Sequence, residues 1–156
     1  MANPNGLNPY YDVVLQGKNI ISGQGATRTL SVDESGSTVL FDRAAGIVYT
    51  LPLAKAGTYF DFVITTTITS NAAKVITGAG TELLIGGYMN VDTDTSNAVA
   101  AFTGNGSTHV AVSMNGTTTG GILGTKLRFT CLSSTRWMVE GIVQGSGVVA
   151  TSFATS

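Results

Sequence analysis

The constraint that most limits this chain is the way its β-branched and aromatic residues are parcelled out. About ten short apolar runs recur at roughly 8–12-residue spacing, each closed by Gly, Asn, Asp, Ser or Pro. In the longest, Thr58–Ile68, Tyr59, Asp61, Val63 and Thr65 share one face, while Phe60, Phe62, Ile64 and Thr66 share the other. That is the period-2 pattern of a strand with one core face. Ile122–Leu132 and Arg136–Gln144 read as a hairpin across Ser133-Ser134-Thr135, with Leu127, Phe129, Trp137 and Val139 inward. Val110 and Val112 alternate in the same way in Ser107–Met114. Asn97–Thr103 reads as a strand or one helical turn. With three Glu and four Lys in 156 residues, long amphipathic surface helices are nearly excluded. The expectation is an all-β domain, a single β-sandwich of jelly-roll type or a β-barrel. No repeat of fixed period is visible, which argues against a solenoid or propeller.

Three segments follow from composition. Residues 1–9 hold two of the three prolines and read as an extended N-terminal arm. Residues 10–145 form the β-sandwich domain, and 146–156 a small, mostly polar C-terminal tail. The first eight residues lack the basic and apolar regions of a signal peptide. No apolar run approaches the roughly 18 residues of a membrane span.

Charge narrows the function. Only 11% of residues are charged and the net charge is −1, so no electrostatic footprint for nucleic acid or an anionic membrane is expected. Thirteen Ser, 23 Thr and 20 Gly fill positions that Lys and Glu usually occupy. A surface of this kind associates readily, and the chain reads as a subunit covered by other chains.

The chemical inventory is thin. A catalytic triad would need His109, the lone histidine, which lies among small side chains with no Gly-x-Ser-x-Gly elbow. Cys131 could pair with it formally, yet it falls on the apolar face of its strand. Asp92 and Asp94 form the one local acidic cluster and lack the additional oxygen ligands of a calcium loop. Gly23-Gln24-Gly25 lacks the rest of a dinucleotide fingerprint. Asn105-Gly-Ser and Asn115-Gly-Thr match the glycosylation pattern but carry no weight without a secretory signal. Trp137 suits a core anchor better than a sugar platform. The reading is therefore not an enzyme, with no cofactor and no metal.

Several stretches resemble the decoration, or cement, proteins of tailed-bacteriophage heads. They are Ser35–Asp42, Ala44–Pro52, Ala56–Ile64, Arg136–Gly141 and Ser152–Ser156. The resemblance implies a small all-β virion protein, made in the host cytoplasm, that binds the outside of an assembled capsid and stabilises it, often as a homotrimer. Its partners would be the major capsid protein and itself. The candidate contact residues are Asn3, Pro4, Leu7 and Tyr10 in and beside the arm, and Phe153 in the tail. The second reading is a tail-fibre or receptor-binding head domain. The lack of a repetitive shaft counts against it.

Overall fold

A computed structural model describes residues 19–94 and 98–156. The strands are β1 (Ile20–Ile21), β2 (Thr27–Thr29), β3 (Thr38–Phe41), β4 (Val48–Thr50), β5 (Tyr59–Ile64) and β6 (Ala73–Ile76). They continue with β7 (Leu83–Asp92), β8 (Val99–Thr103), β9 (Ala111–Met114), β10 (Lys126–Ser133), β11 (Arg136–Gly145) and β12 (Phe153–Ala154). Among the described residues the one helical element is the single turn Val32–Glu34. Of the segment read as a strand or one helical turn, Val99–Thr103 is a strand, and Asn97 lies outside the described residues.

Two sheets form, in the orders β1-β3-β5-β10-β11-β7-β8 and β12-β9-β6-β4-β2. The all-β expectation holds, and so does the two-layer packing. Phe41 of the larger sheet meets Tyr49 of the smaller edge to face at 5.0 Å, and Tyr49 meets Phe62 at 5.7 Å. Phe60, Phe62, Ile64, Val110, Val112, Leu127, Phe129, Trp137 and Val139, all expected inside, are buried.

The pairing differs from a jelly roll, whose strands are antiparallel. From β1 to β7 the chain changes sheet after every strand, and successive visits to one sheet run the same way. β1, β3 and β5 form one parallel ladder and β2, β4 and β6 the other. The first half therefore winds as a solenoid does, contrary to the sequence expectation. The reason no period shows is that the coils are unequal. Ile20 aligns with Thr38 and Thr38 with Asp61, offsets of 18 and 23 residues. Thr27 aligns with Val48 and Val48 with Lys74, offsets of 21 and 26.

The second half closes this winding. The antiparallel hairpin β10–β11 inserts between β5 and β7, pairing antiparallel with β5 and parallel with β7. Residues 146–156, read as a tail, contribute β12, which pairs with β9. Phe153 is thereby 6% exposed and packs on Tyr88 at 5.2 Å. It is a core residue and not the exposed partner contact expected of it.

Candidate functional site

Among the described residues, the outer face of the larger sheet groups charged and apolar side chains around one trough. On β5 and β10 the phenylalanines turn inward, so Tyr59, Asp61, Val63, Lys126 and Arg128 turn out. Strand register then sets two rows across the face. One runs Thr38–Asp61–Arg128–Glu140–Gly87–Thr103. The other runs Leu40–Val63–Lys126–Ile142–Met89–Ala101.

In the first row Arg128 grips Asp61 with both arms. Nε donates to Oδ1 at 2.7 Å and Nη2 to Oδ2 at 2.8 Å. The guanidinium also lies 5.2 Å from the centroid of the Tyr59 ring. Asp61 is 2% exposed although it faces outward, because Arg128 lies over it. The Asp61 hydrogen bond, the largest influence, holds Arg128 above the ordinary guanidinium value, against the opposing effect of burial.

Beside this pair lies a trough of about 630 Å³ lined by Asp61, Lys126, Arg128, Glu140, Ile142 and Gln144, among others. Its shape depends on Gly141. That residue has φ 151°, and a Cβ there would sit 2.2 Å from the Lys126 carbonyl oxygen. A smaller hollow of about 280 Å³ continues across Gly87 toward β8. The second row is apolar apart from Lys126, and within it Met89 and Ile142 are each 48% exposed. This arrangement suits a protein surface: apolar side chains on a rigid sheet, with charges that set register more than affinity.

The residues singled out in the sequence lie elsewhere. His109 stacks on Phe153 at 5.3 Å, and its Nδ1 accepts the Asn105 N–H at 3.2 Å. Cys131 is buried, its thiol donates to the Ser133 carbonyl at 3.2 Å, and burial pushes its pKa up. Asp92 Oδ1 accepts the Asp94 N–H at 3.0 Å, and Asp94 Oδ2 accepts the Gly147 N–H at 2.8 Å, so both carboxylates brace backbone. Trp137 is fully buried, and its Nε1–H donates to Glu82 Oε2 at 3.1 Å. Asn3, Pro4, Leu7 and Tyr10 lie outside the described residues.

Two of the three Asn-Gly dipeptides, at Asn105 and Asn115, build matching loops. Asn105 Oδ1 accepts the N–H groups of Ser107, Thr108 and His109. Asn115 Oδ1 accepts those of Thr117 and Thr119. Gly106 donates its N–H to the Leu84 carbonyl and Gly116 to the Gly120 carbonyl. Gly116, at φ 83°, lies so close to the Ile68 carbonyl oxygen that a Cβ would fall 1.8 Å from it.

Sequence reading missed the Asp61–Arg128–Glu140 row, whose members come together through register alone. It missed Glu82 as well, which is 3% exposed and also accepts the Ala54 N–H at 2.8 Å. Neither carries a local signal, since Asp61 and Arg128 are 67 residues apart and Glu82 and Trp137 are 55 apart. A scan of protein-family models gives no match, and searches of curated proteins and of solved structures give none either.

Proposed function

We propose that this chain is a structural virion protein that binds the outer surface of a bacteriophage capsid and stabilises the shell. In this reading it is not an enzyme, and its partners are the major capsid protein and further copies of itself in three-fold assembly. The observation that carries the reading is the exposed apolar stretch Ile142–Met89–Ala101 on the outer face of the larger sheet, bordered by Lys126, in a chain with 11% charged residues. A face of this kind binds by area and shape, which suits permanent attachment to a large, static partner. The resemblance of Ser35–Pro52 and Ala56–Ile64 to phage-head decoration proteins points the same way.

The test is binding to capsids that lack the chain. Wild-type protein should co-sediment with such shells and raise their resistance to heat. Met89→Glu combined with Ile142→Glu should lower occupancy at least about tenfold, a change worth about 1.4 kcal/mol. Failure of the wild-type protein to bind shells would overturn the reading.

The tail-fibre alternative draws on one observation, the parallel winding of β1 to β6, which is the coil of a repetitive shaft in short form. Antibody labelling of intact particles separates the two. Signal over the whole head supports decoration, and signal confined to the tail supports the alternative.

A further inference from the structure

The four edges of the two sheets are unequal. β1 and β12 are two residues long, and β2 is three residues long and carries Arg28. Short or charged edges resist pairing with other chains. β8 has five residues, Val99-Ala100-Ala101-Phe102-Thr103, with no charge and no proline. Among the described residues it pairs with β7 alone.

The ladder shows which of its backbone groups face the open side. The Asp92 N–H donates to the Ala98 carbonyl at 2.8 Å, and the Gly104 N–H donates to the Gly86 carbonyl at 2.9 Å. Antiparallel hydrogen bonds alternate, so Ala100 and Phe102 turn theirs toward β7. Val99, Ala101 and Thr103 turn their N–H and C=O groups outward.

We propose that β8 is the docking edge for β8 of a second copy of this chain, related by a two-fold axis through Ala101. Antiparallel pairing about Ala101 sets Val99 opposite Thr103 of the second copy, Ala101 opposite itself and Thr103 opposite Val99. Each pair exchanges both of its hydrogen bonds. The sequence suits a two-fold axis because a charge near it would face its own image, and β8 has none. Ala101 also ends the row Val63–Lys126–Ile142–Met89–Ala101. Across the axis that row meets its own copy, so its apolar end, Ile142–Met89–Ala101, continues from one molecule into the other as far as Lys126 on each side. The contact is two-fold and adds to a three-fold assembly made through other surfaces. It does not depend on what the outer face binds.

Amide hydrogen exchange on the full chain at high protein concentration tests this. The Val99, Ala101 and Thr103 amides should exchange about 100-fold more slowly than free peptide, as the Ala100 and Phe102 amides do. In Ala101→Pro the outward N–H is removed while the β7 ladder keeps its bonds, so the fold persists. In that variant Val99 and Thr103 should lose protection, and the sedimenting species should halve in mass. Ala101→Cys gives a second readout. On mild oxidation it should form a covalent dimer across the axis, since the Cα separation of such pairs falls within disulfide range. Ala100→Cys should not, and Cys131 is buried and does not compete. Free-peptide exchange rates at Val99, Ala101 and Thr103 in the wild-type chain would overturn the proposal. Protection that survives Ala101→Pro would also overturn it.

Discussion

The wound half of the molecule, β1 to β6, and the antiparallel half, β9 to β12, bury similar side chains by opposite routes. Pairs made within the wound half align residues 18 to 26 apart, one coil earlier or later. In the other half β10 and β11 are joined by a tight turn, and Cys131 pairs with Trp137 across it. Yet the hairpin is where the sheet depends on distant chain. β11 aligns Arg136 with Leu83, and β10 aligns Arg128 with Asp61. A winding that looks self-sufficient is thus left split between β5 and β7 until the hairpin fills the gap. Local pairing and non-local consequence coincide in the same twenty residues.

The largest test of this contrast is removal of the filler. A chain ending at Gly124 keeps the whole winding but leaves β5 and β7 without their shared neighbours. It should show no cooperative thermal transition. A sharp melt would mean that the wound half folds alone.

Phe62 sits where the halves meet, touching Phe41, Tyr49 and Phe60 of the winding and Phe129 of the hairpin, the last at 5.3 Å. Phe62→Ala should cost about 3–5 kcal/mol, read from denaturant midpoints. Ile21→Ala, at the outer edge of the winding, should cost about 2 kcal/mol. Equal costs would remove the seam's special standing.

On the outer face, Arg128→Ala strips the guanidinium from the buried Asp61 carboxylate. Breaking a fully buried pair costs about 3–5 kcal/mol, but the Arg128 side chain is 39% exposed, so about 2 kcal/mol is expected. Asp61→Asn combined with Arg128→Met should recover most of the loss.

The smallest effect is a pH slope. Burial, reinforced by Asp42 and opposed by Arg28, pushes the Tyr49 phenol from 10.0 up to about 12. Its OH donates to the Leu40 carbonyl at 2.8 Å. The folded state holds the proton more tightly, so this contribution is full below pH 10 and is lost as pH rises from about 10 to 12. Tyr49→Phe should flatten that part of the stability profile and cost about 1 kcal/mol at neutral pH.

What could be read from the residues follows the same contrast. Alternation in Tyr59–Ile64 and Arg136–Val139 told which side chains face inward, because each sheet has one wet face. The hairpin was legible from its turn, although β10 begins only at Lys126, after the positive-φ Gly124. The winding was not legible, since unequal coils leave no period to find. Asp61 reads as an ordinary outward residue, and Arg128, which grips it, arrives from another strand. Phe153 was misplaced because two residues of β12 give no pattern, while the pocket beside Tyr88 and His109 comes from distant chain.

The Asn105 and Asn115 loops carry a consequence for chemical ageing. Asn-Gly is the dipeptide most prone to deamidation, in which the glycine nitrogen attacks the asparagine side-chain carbonyl carbon, closes a five-membered imide and expels the side-chain nitrogen as ammonia. Here both partners of that step are restrained. Each asparagine oxygen is held by backbone N–H groups. The nitrogens of Gly106 and Gly116 donate to the Leu84 and Gly120 carbonyls. At these two sites ring closure therefore requires local opening first, and Asn105 and Asn115 should deamidate far more slowly in the folded chain than in the unfolded one.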